Sequence, residues 1–256
     1  MKKIAKVALF SFHENRRNQN FYILLLFAFM LMAAGFLFSR FSTDVEERII
    51  RDAGLGAIEF FAFLSAVFLA ARQLISEIES KTIYTILTKP IPRSRYFLGR
   101  YCGVTGVILF GILIMGILLT GLLFLKGKAG SLNSDYYLAY VNIYFKILMI
   151  TALSFFFSLL STSVLSSMVF TGFLWIIGHL SEEIKFLARE ASPLLFNTVR
   201  LAYWIFPNFS YLNTKSFPAD AAAFGYPVAV WSILYVFSYT AVFLIMSIMI
   251  FGKKDL

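Results

Sequence analysis

Tyr101-Cys-Gly-Val-Thr-Gly-Val-Ile-Leu-Phe110-Gly-Ile-Leu-Ile-Met-Gly-Ile-Leu-Leu-Thr120-Gly-Leu-Leu-Phe-Leu125 runs for 25 residues without one Lys, Arg, Asp or Glu. As a helix it reaches about 37 Å at 1.5 Å per residue, more than the ~30 Å hydrocarbon core of a bilayer. The composition of the whole chain agrees. Only 14% of its 256 residues are charged and the mean hydropathy is +0.78, whereas ordinary globular chains carry about 25% charge. The stretch therefore predicts an all-α polytopic membrane protein.

Working outward, the apolar runs predict six spans: Phe21–Phe38, Ala53–Ala71, Tyr101–Leu125, Ala139–Leu160, Val164–Leu180 and Tyr226–Phe251. The fourth and fifth come from one run, Ile147–Ser181, of 35 residues without Lys, Arg, Asp or Glu. One straight helix of that length would reach about 50 Å, too long for a single crossing. The cluster Ser158-Leu-Leu-Ser161-Thr162-Ser163-Val-Leu-Ser166-Ser167 suits a turn, and the run is divided there.

Charge sets the orientation. With six spans, one face receives the N-terminal segment, the link after the second span and the tail. That face carries 13 Lys and Arg against 4 Asp and Glu, while the rest of the chain carries 10 of each. The positive-inside rule places that face, with both termini, in the cytoplasm. The net charge of +9 is thus a topology signal and an attraction to anionic lipid. No basic cluster is interleaved with stacking aromatics, so nucleic acid is not an expected partner.

The link between the second and third spans reads Glu77-Ile-Glu79-Ser-Lys81-Thr82-Ile83-Tyr-Thr-Ile86-Leu87-Thr-Lys89-Pro90-Ile-Pro-Arg93-Ser-Arg-Tyr-Phe-Leu-Gly99-Arg100. Ser76-x-x-Glu79 fits a capping box, which predicts a helix starting near Glu77. Ile78, Ile83, Ile86 and Leu87 fall mostly on one face. Pro90 disfavours helical geometry at Lys89 and ends the helix there. Pro92 stiffens the reversal, and Ser94 is placed to cap the next helix. The segment reads either as a stiff lever joined to both spans or as an amphipathic hairpin resting on the headgroups.

Residues 1–20 carry an apolar stripe, Ile4, Val7, Ala8 and Phe12, with Lys2, Lys3, Lys6 and Arg16 elsewhere. They read as a cytoplasmic interfacial helix or as a frayed basic tail. The apolar core starts only at Phe21 and no small-x-small site follows Phe38, so the first span is expected to remain uncleaved. Residues 181–225 form a long outer segment. Its first half repeats apolar residues at helical spacing through Ser192-Pro193, predicting two short outer amphipathic helices between spans five and six. Residues 207–225 read as loop.

Gly99-x-x-x-Gly103 predicts close helix contact. Cys102 is the one cysteine and reads as a small buried residue. Glu59, Lys146 and His179 sit near the outer ends of their spans. They read as interfacial side chains that snorkel or as lining of a path. The chain has no P-loop, no His-Glu-x-x-His and no nucleophile with a base beside it. No catalytic residue, metal ligand or cofactor-binding residue is expected.

The pattern Glu77-x-Glu79-x-x-Thr82-x-x-x-x-Leu87-x-x-Pro90-x-x-Arg93-x-x-x-x-x-Gly99-Arg100 resembles the segment joining the second and third spans of ATP-binding-cassette type-2 permeases. His13-Glu14-Asn-Arg-Arg17 before the first span and the ending Phe251-Gly-Lys253-Lys254-Asp255-Leu256 are similar to that family's entry and exit. The resemblance implies that residues 77–89 form a coupling helix seated in a cleft of a separate ATPase. Glu77, Glu79, Lys81 and Lys89 would pair with the ATPase, Ile83, Ile86 and Leu87 would fill its groove, and Thr82, Pro90 and Arg93 belong to the same motif. It further implies a dimer of permease chains bound to two ATPases in the plasma (bacterial inner) membrane, with ATP and Mg held by the partners. The chain itself would be a transport subunit, an exporter, and not an enzyme. An ion-gradient-driven transporter and a non-transporting membrane scaffold are the alternatives.

Overall fold

The computed structural model of the chain describes residues 2–39, 46–80, 92–127, 133–181, 183–184, 186, 207–209, 212 and 226–253. Among the described residues there are seven helices: α1 (Lys2–Arg16), α2 (Gln19–Ser39), α3 (Glu46–Glu79), α4 (Arg93–Leu125), α5 (Ser134–Leu160), α6 (Val164–His179) and α7 (Tyr226–Lys253). No strand occurs among them. Four are long and apolar enough to cross a membrane: α3, α4, α5 and the Trp231–Lys253 part of α7. Over Gln19–Ala34, α2 is apolar but shorter, as is α6.

The helices outrun the apolar slabs that reveal them. α3 starts at Glu46, so the charged residues Glu46, Glu47, Arg48, Arg51 and Asp52 are helical and not loop. Glu46 and Glu47 occupy its first turn, where the positive end of the helix dipole favours carboxylates. At the other end α3 continues through Ser76 to Glu79. The predicted helix start at Glu77 is therefore corrected. Ser76 Oγ donates to the Gln73 carbonyl, and the Ser80 hydroxyl donates to the Ser76 carbonyl. Residues committed to a continuing ladder cannot cap a new helix. Likewise α4 starts at Arg93 behind an extended Pro92, with no side-chain cap, and Ser94 lies inside it. Lys81, Thr82, Ile83, Ile86, Leu87, Lys89 and Pro90 lie outside the described residues, as does nearly all of the outer amphipathic pair.

α3 and α5 form the centre. α3 packs against α2, α4, α5 and α6, and α5 packs against α4, α6 and α7. Small residues let these axes approach: Ala62, Ala66 and Ala70 of α3 and Ala152 of α5 are fully buried. Ser154 Oγ donates to the Val67 carbonyl at 3.1 Å, and Ser167 Oγ to the Ser154 carbonyl at 3.4 Å, stitching α5 to α3 and α6 to α5. Such hydroxyl bridges suit an apolar surrounding, where an unpaired polar group is costly. Between α5 and α6 the Ser-rich turn breaks the chain. Ser163 Oγ accepts from the Ser166 backbone N–H.

α1 lies along the first turns of α4. A side chain at Gly103 would collide with Ser11 and sit 2.8 Å from the Ala8 carbonyl oxygen, so this glycine permits backbone contact. Cys102, on the neighbouring face, is exposed rather than buried, because α1 covers the glycine face of α4. Leu9 and Phe10 of α1 point outward, about 60% exposed.

Candidate functional site

Two clusters of buried charge lie along α3. The first is at its C-terminal end, next to the link between α3 and α4. Arg100 of α4 is 2% exposed, and its guanidinium makes ion pairs with Glu14 of α1 and Glu77 of α3. Arg100 Nε donates to Tyr96 Oη at 2.9 Å, and Tyr96 Oη donates to Glu77 Oε2 at 2.6 Å. Gln73 lies 2.8 Å from Ser11 Oγ, and with its amide oxygen turned to α4 it accepts from Arg100 Nη1 at 2.6 Å. Asn15 donates to the Ser11 carbonyl at 2.8 Å. Only a guanidinium serves so many acceptors at once, because its donors are fixed in a planar fork. The cluster joins α1, α3 and α4 at the two ends of the link between α3 and α4.

This changes the place of one expected residue. Glu77, expected to pair with the ATPase, is 6% exposed, and within the chain its carboxylate pairs with Arg100 and Tyr96. Glu79, two residues on, is exposed. Arg93 faces α7, where its Nη1 donates to the carbonyls of Phe251 at 3.3 Å and Gly252 at 3.1 Å. A cation against the last carbonyls of a helix stabilises its negative end.

The second cluster brings together Glu59 of α3, Lys146 of α5 and His179 of α6. Lys146 Nζ lies 2.7 Å from Glu59 Oε1, and His179 Nε2 lies 3.0 Å from the same oxygen. Lys146 is 2% exposed and Glu59 9%. The Lys146 and Glu59 side chains turn into the bundle, and His179 closes on them from the last residue of α6. Lys146 has twelve residues of α5 before it and fourteen after, so it sits near the middle of its helix and not near an end. Glu59 and Glu77 are eighteen residues apart on one unbroken helix, which separates the clusters by about 27 Å.

Aromatic rings and the irregular segment 207–209 flank the triad. Trp175 stacks on Phe63 with ring centroids 4.3 Å apart and lies 4.4 Å from the His179 ring. Phe209 is fully buried, 5.4 Å from His179. Its N–H donates to the Gly178 carbonyl at 3.0 Å, and Ser181 Oγ donates to Asn208 Oδ1 at 2.8 Å. The Asn208 N–H donates to Tyr235 Oη of α7 at 2.7 Å. Residues 207–209 thus plug the end of the bundle beside His179.

Sequence periodicity pointed to the three triad residues, because ionisable groups stand out in apolar runs. It passed over Ser11, Asn15, Gln73, Tyr96 and the pairing of Arg100. One signal was there to read: Ser11 and Asn15 continue the Ile4, Val7, Ala8 stripe at helical spacing, which places two polar residues on a buried face.

Residues 56–256 match the family described as "Protein of unknown function (DUF2705)". The matched stretch contains the whole triad together with Glu77, Tyr96 and Arg100, and leaves α1 outside. No curated protein matches the chain.

Proposed function

We propose that this chain, which belongs to the DUF2705 family, is the membrane-spanning permease subunit of an ATP-driven transporter. In this reading α2 to α7 are six spans, with the hinge and both termini cytoplasmic, as the surplus of Lys and Arg on that face favours. Two copies bind two ATPase subunits through the segment between α3 and α4. The resemblance of residues 77–100 to type-2 permeases supplies the partner and the exporting direction.

The observation that carries the proposal is the Arg100 cluster. A lever transmits force only if its roots are fixed, and the roots of this hinge are fixed on both sides. Glu77, in the last turn of α3, is gripped by Arg100 and Tyr96, while Arg93 starts α4 bonded to the end of α7. The buried Arg100–Glu77 pair resists removal of either partner, and Glu14 caps the guanidinium from the half-exposed side. Pushing the hinge from the cytoplasm would then move α1, α3 and α4 as one body.

The test is site-specific photo-crosslinking from position 86 in intact cells. The expected product joins the chain to a polypeptide that is labelled by an ATP photoprobe. Ile83→Asp with Leu87→Asp is expected to abolish that product while membrane insertion stays normal. Undiminished recovery of the complex with the double variant would overturn the coupling assignment.

One observation favours a second reading, an ion-gradient-driven transporter: the buried Glu59–Lys146–His179 cluster, since ionisable groups inside a bundle are often those that carry ions. Proton uptake by the purified chain in liposomes, without any ATPase, would support that reading.

A further inference from the structure

The ring of His179 has an acceptor at both nitrogens. Nε2 lies 3.0 Å from Glu59 Oε1 and Nδ1 lies 3.1 Å from the Trp175 carbonyl oxygen. A neutral imidazole carries one N–H, so one of these contacts sets a lone pair against an oxygen. The imidazolium donates at both. The geometry therefore fits the charged form, and histidine is the side chain that changes charge between about pH 5 and 8.

What this contact holds is α6. Of its sixteen residues only Ser167, Thr171 and Gly178 are buried, and none of these brings an apolar side chain larger than a methyl group. Leu165, Val169, Phe173 and Ile176 all point out of the bundle. The helix is held to α3 at its far end by His179 on Glu59, and the plug at 207–209 is bonded to the same turn through the Gly178 carbonyl and Ser181. Other ties of α6 include the Ser167–Ser154 bond, the Trp175–Phe63 stack and the partly buried Met168, so this polar contact is a substantial share of what docks it.

We infer that His179 is a proton-operated latch: protonation locks the end of α6, with the 207–209 plug, onto Glu59 of α3, and loss of the proton releases them. Among the described residues the charged groups around the latch are Glu59 from α3 and Lys146 from α5. The plug contributes no charge, and α7 contributes the Tyr235 hydroxyl through Asn208. Lys146 shares Oε1 with His179, so the carboxylate keeps a cationic partner when the histidine leaves, and release does not strand a buried charge. The inference stands on this geometry and holds whichever energy source drives the protein.

The test uses the full chain in lipid nanodiscs, with Cys102→Ser and spin labels at Leu180→Cys, just after α6, and Arg48→Cys on α3, both exposed. Pulsed electron paramagnetic resonance reads the distance distribution. At about pH 6 a single narrow population is expected, and at about pH 8 a second, longer one. The ratio should change by about tenfold, because a charge-assisted hydrogen bond is roughly twice as strong as a neutral one. His179→Gln should remove the pH dependence, and His179→Arg should stay docked throughout. The chain has two histidines, so His13→Asn leaves His179 as the one reporter for ¹⁵N-histidine spectroscopy. Both ring nitrogens should carry protons at about pH 6. A distribution indifferent to pH, an unchanged pH response in His179→Gln, or a His179 ring protonated at one nitrogen at about pH 6 would each overturn the latch.

Discussion

Replacing Lys146 by Met and Glu59 by Gln, singly and together, measures whether the triad is a dry ion cluster. The Lys146 side chain is 3% exposed and that of Glu59 12%, so neither charge has bulk water to fall back on. Breaking a buried pair from one side costs about 3–5 kcal/mol. Lys146→Met belongs at the low end, about 3 kcal/mol, because Glu59 Oε1 keeps His179 at 3.0 Å. Glu59→Gln belongs higher, about 4 kcal/mol, because Lys146 has no other acceptor among the described residues. The double replacement removes both charges and should cost only about 1 kcal/mol, since Met and Gln are uncharged, close in volume to Lys and Glu, and removing both partners of a buried pair strands neither charge. For a chain of this length each kcal/mol moves Tm by about 2–4 °C. The single variants should therefore melt about 6–16 °C early, and the double variant close to the parent. Loss of the monodisperse species on heating in detergent gives Tm, and unfolding in mixed micelles gives the free energies for the cycle. Additive costs, or single variants within about 1 kcal/mol of the parent, would mean that water reaches the triad and that the argument from burial is wrong.

At the hinge end, Gly103→Leu should displace α1, because the new side chain meets the Ala8 backbone carbonyl, which cannot swing aside. The expected cost is about 1–3 kcal/mol, seen as faster tryptic cutting at Arg16 and Arg17, while Gly121→Leu, with nothing within 4 Å of its added carbon, should behave as the parent. Arg100→Lys should destabilise by about 3 kcal/mol in the same thermal assay, because one ammonium cannot bridge Glu14, Glu77 and Tyr96 in the geometry of the fork.

Much of the helical plan was legible because a membrane forces apolar residues into long unbroken runs. The run at Tyr101–Leu125 marks most of α4, and the serines at 158–167 mark the break between α5 and α6. Helix ends were less legible. Hydropathy reports the thickness of the slab and not the length of the rod, so Glu46–Asp52 and Ser76–Glu79 were read as outside a helix that contains them. The pairing of Glu77 was hidden for a related reason: a capping box is a local pattern, and nothing local reveals an arginine twenty-three residues on that reaches back for the carboxylate. The triad was half legible. Each member stood out as a charge or histidine in an apolar run, but Glu59 and Lys146 are 87 residues apart in the chain. Their contact depends on how α3 and α5 rotate about their axes, which packing of Ala62, Ala66 and Ala152 decides.

The two clusters are mechanically linked by the helix that carries them. Between Ala57 and Glu79, α3 has neither glycine nor proline, the usual causes of a kink, so it moves as a rod. The clusters lie about 27 Å apart, or about 13.5 Å on either side of the midpoint. A tilt of about 5° around that midpoint shifts each end by about 1.2 Å. That displacement, directed along the contact, would carry the 2.7 Å and 3.0 Å bonds at Glu59 beyond about 3.5 Å, where a hydrogen bond is lost. The Arg100 cluster would travel with the rod, because α1 and α4 are fastened to it there. A small rotation imposed at the hinge is therefore enough to unfasten α6 at the far end. The converse also holds: a protonated His179, by holding α6 to Glu59, resists the same tilt and would make the hinge harder to move.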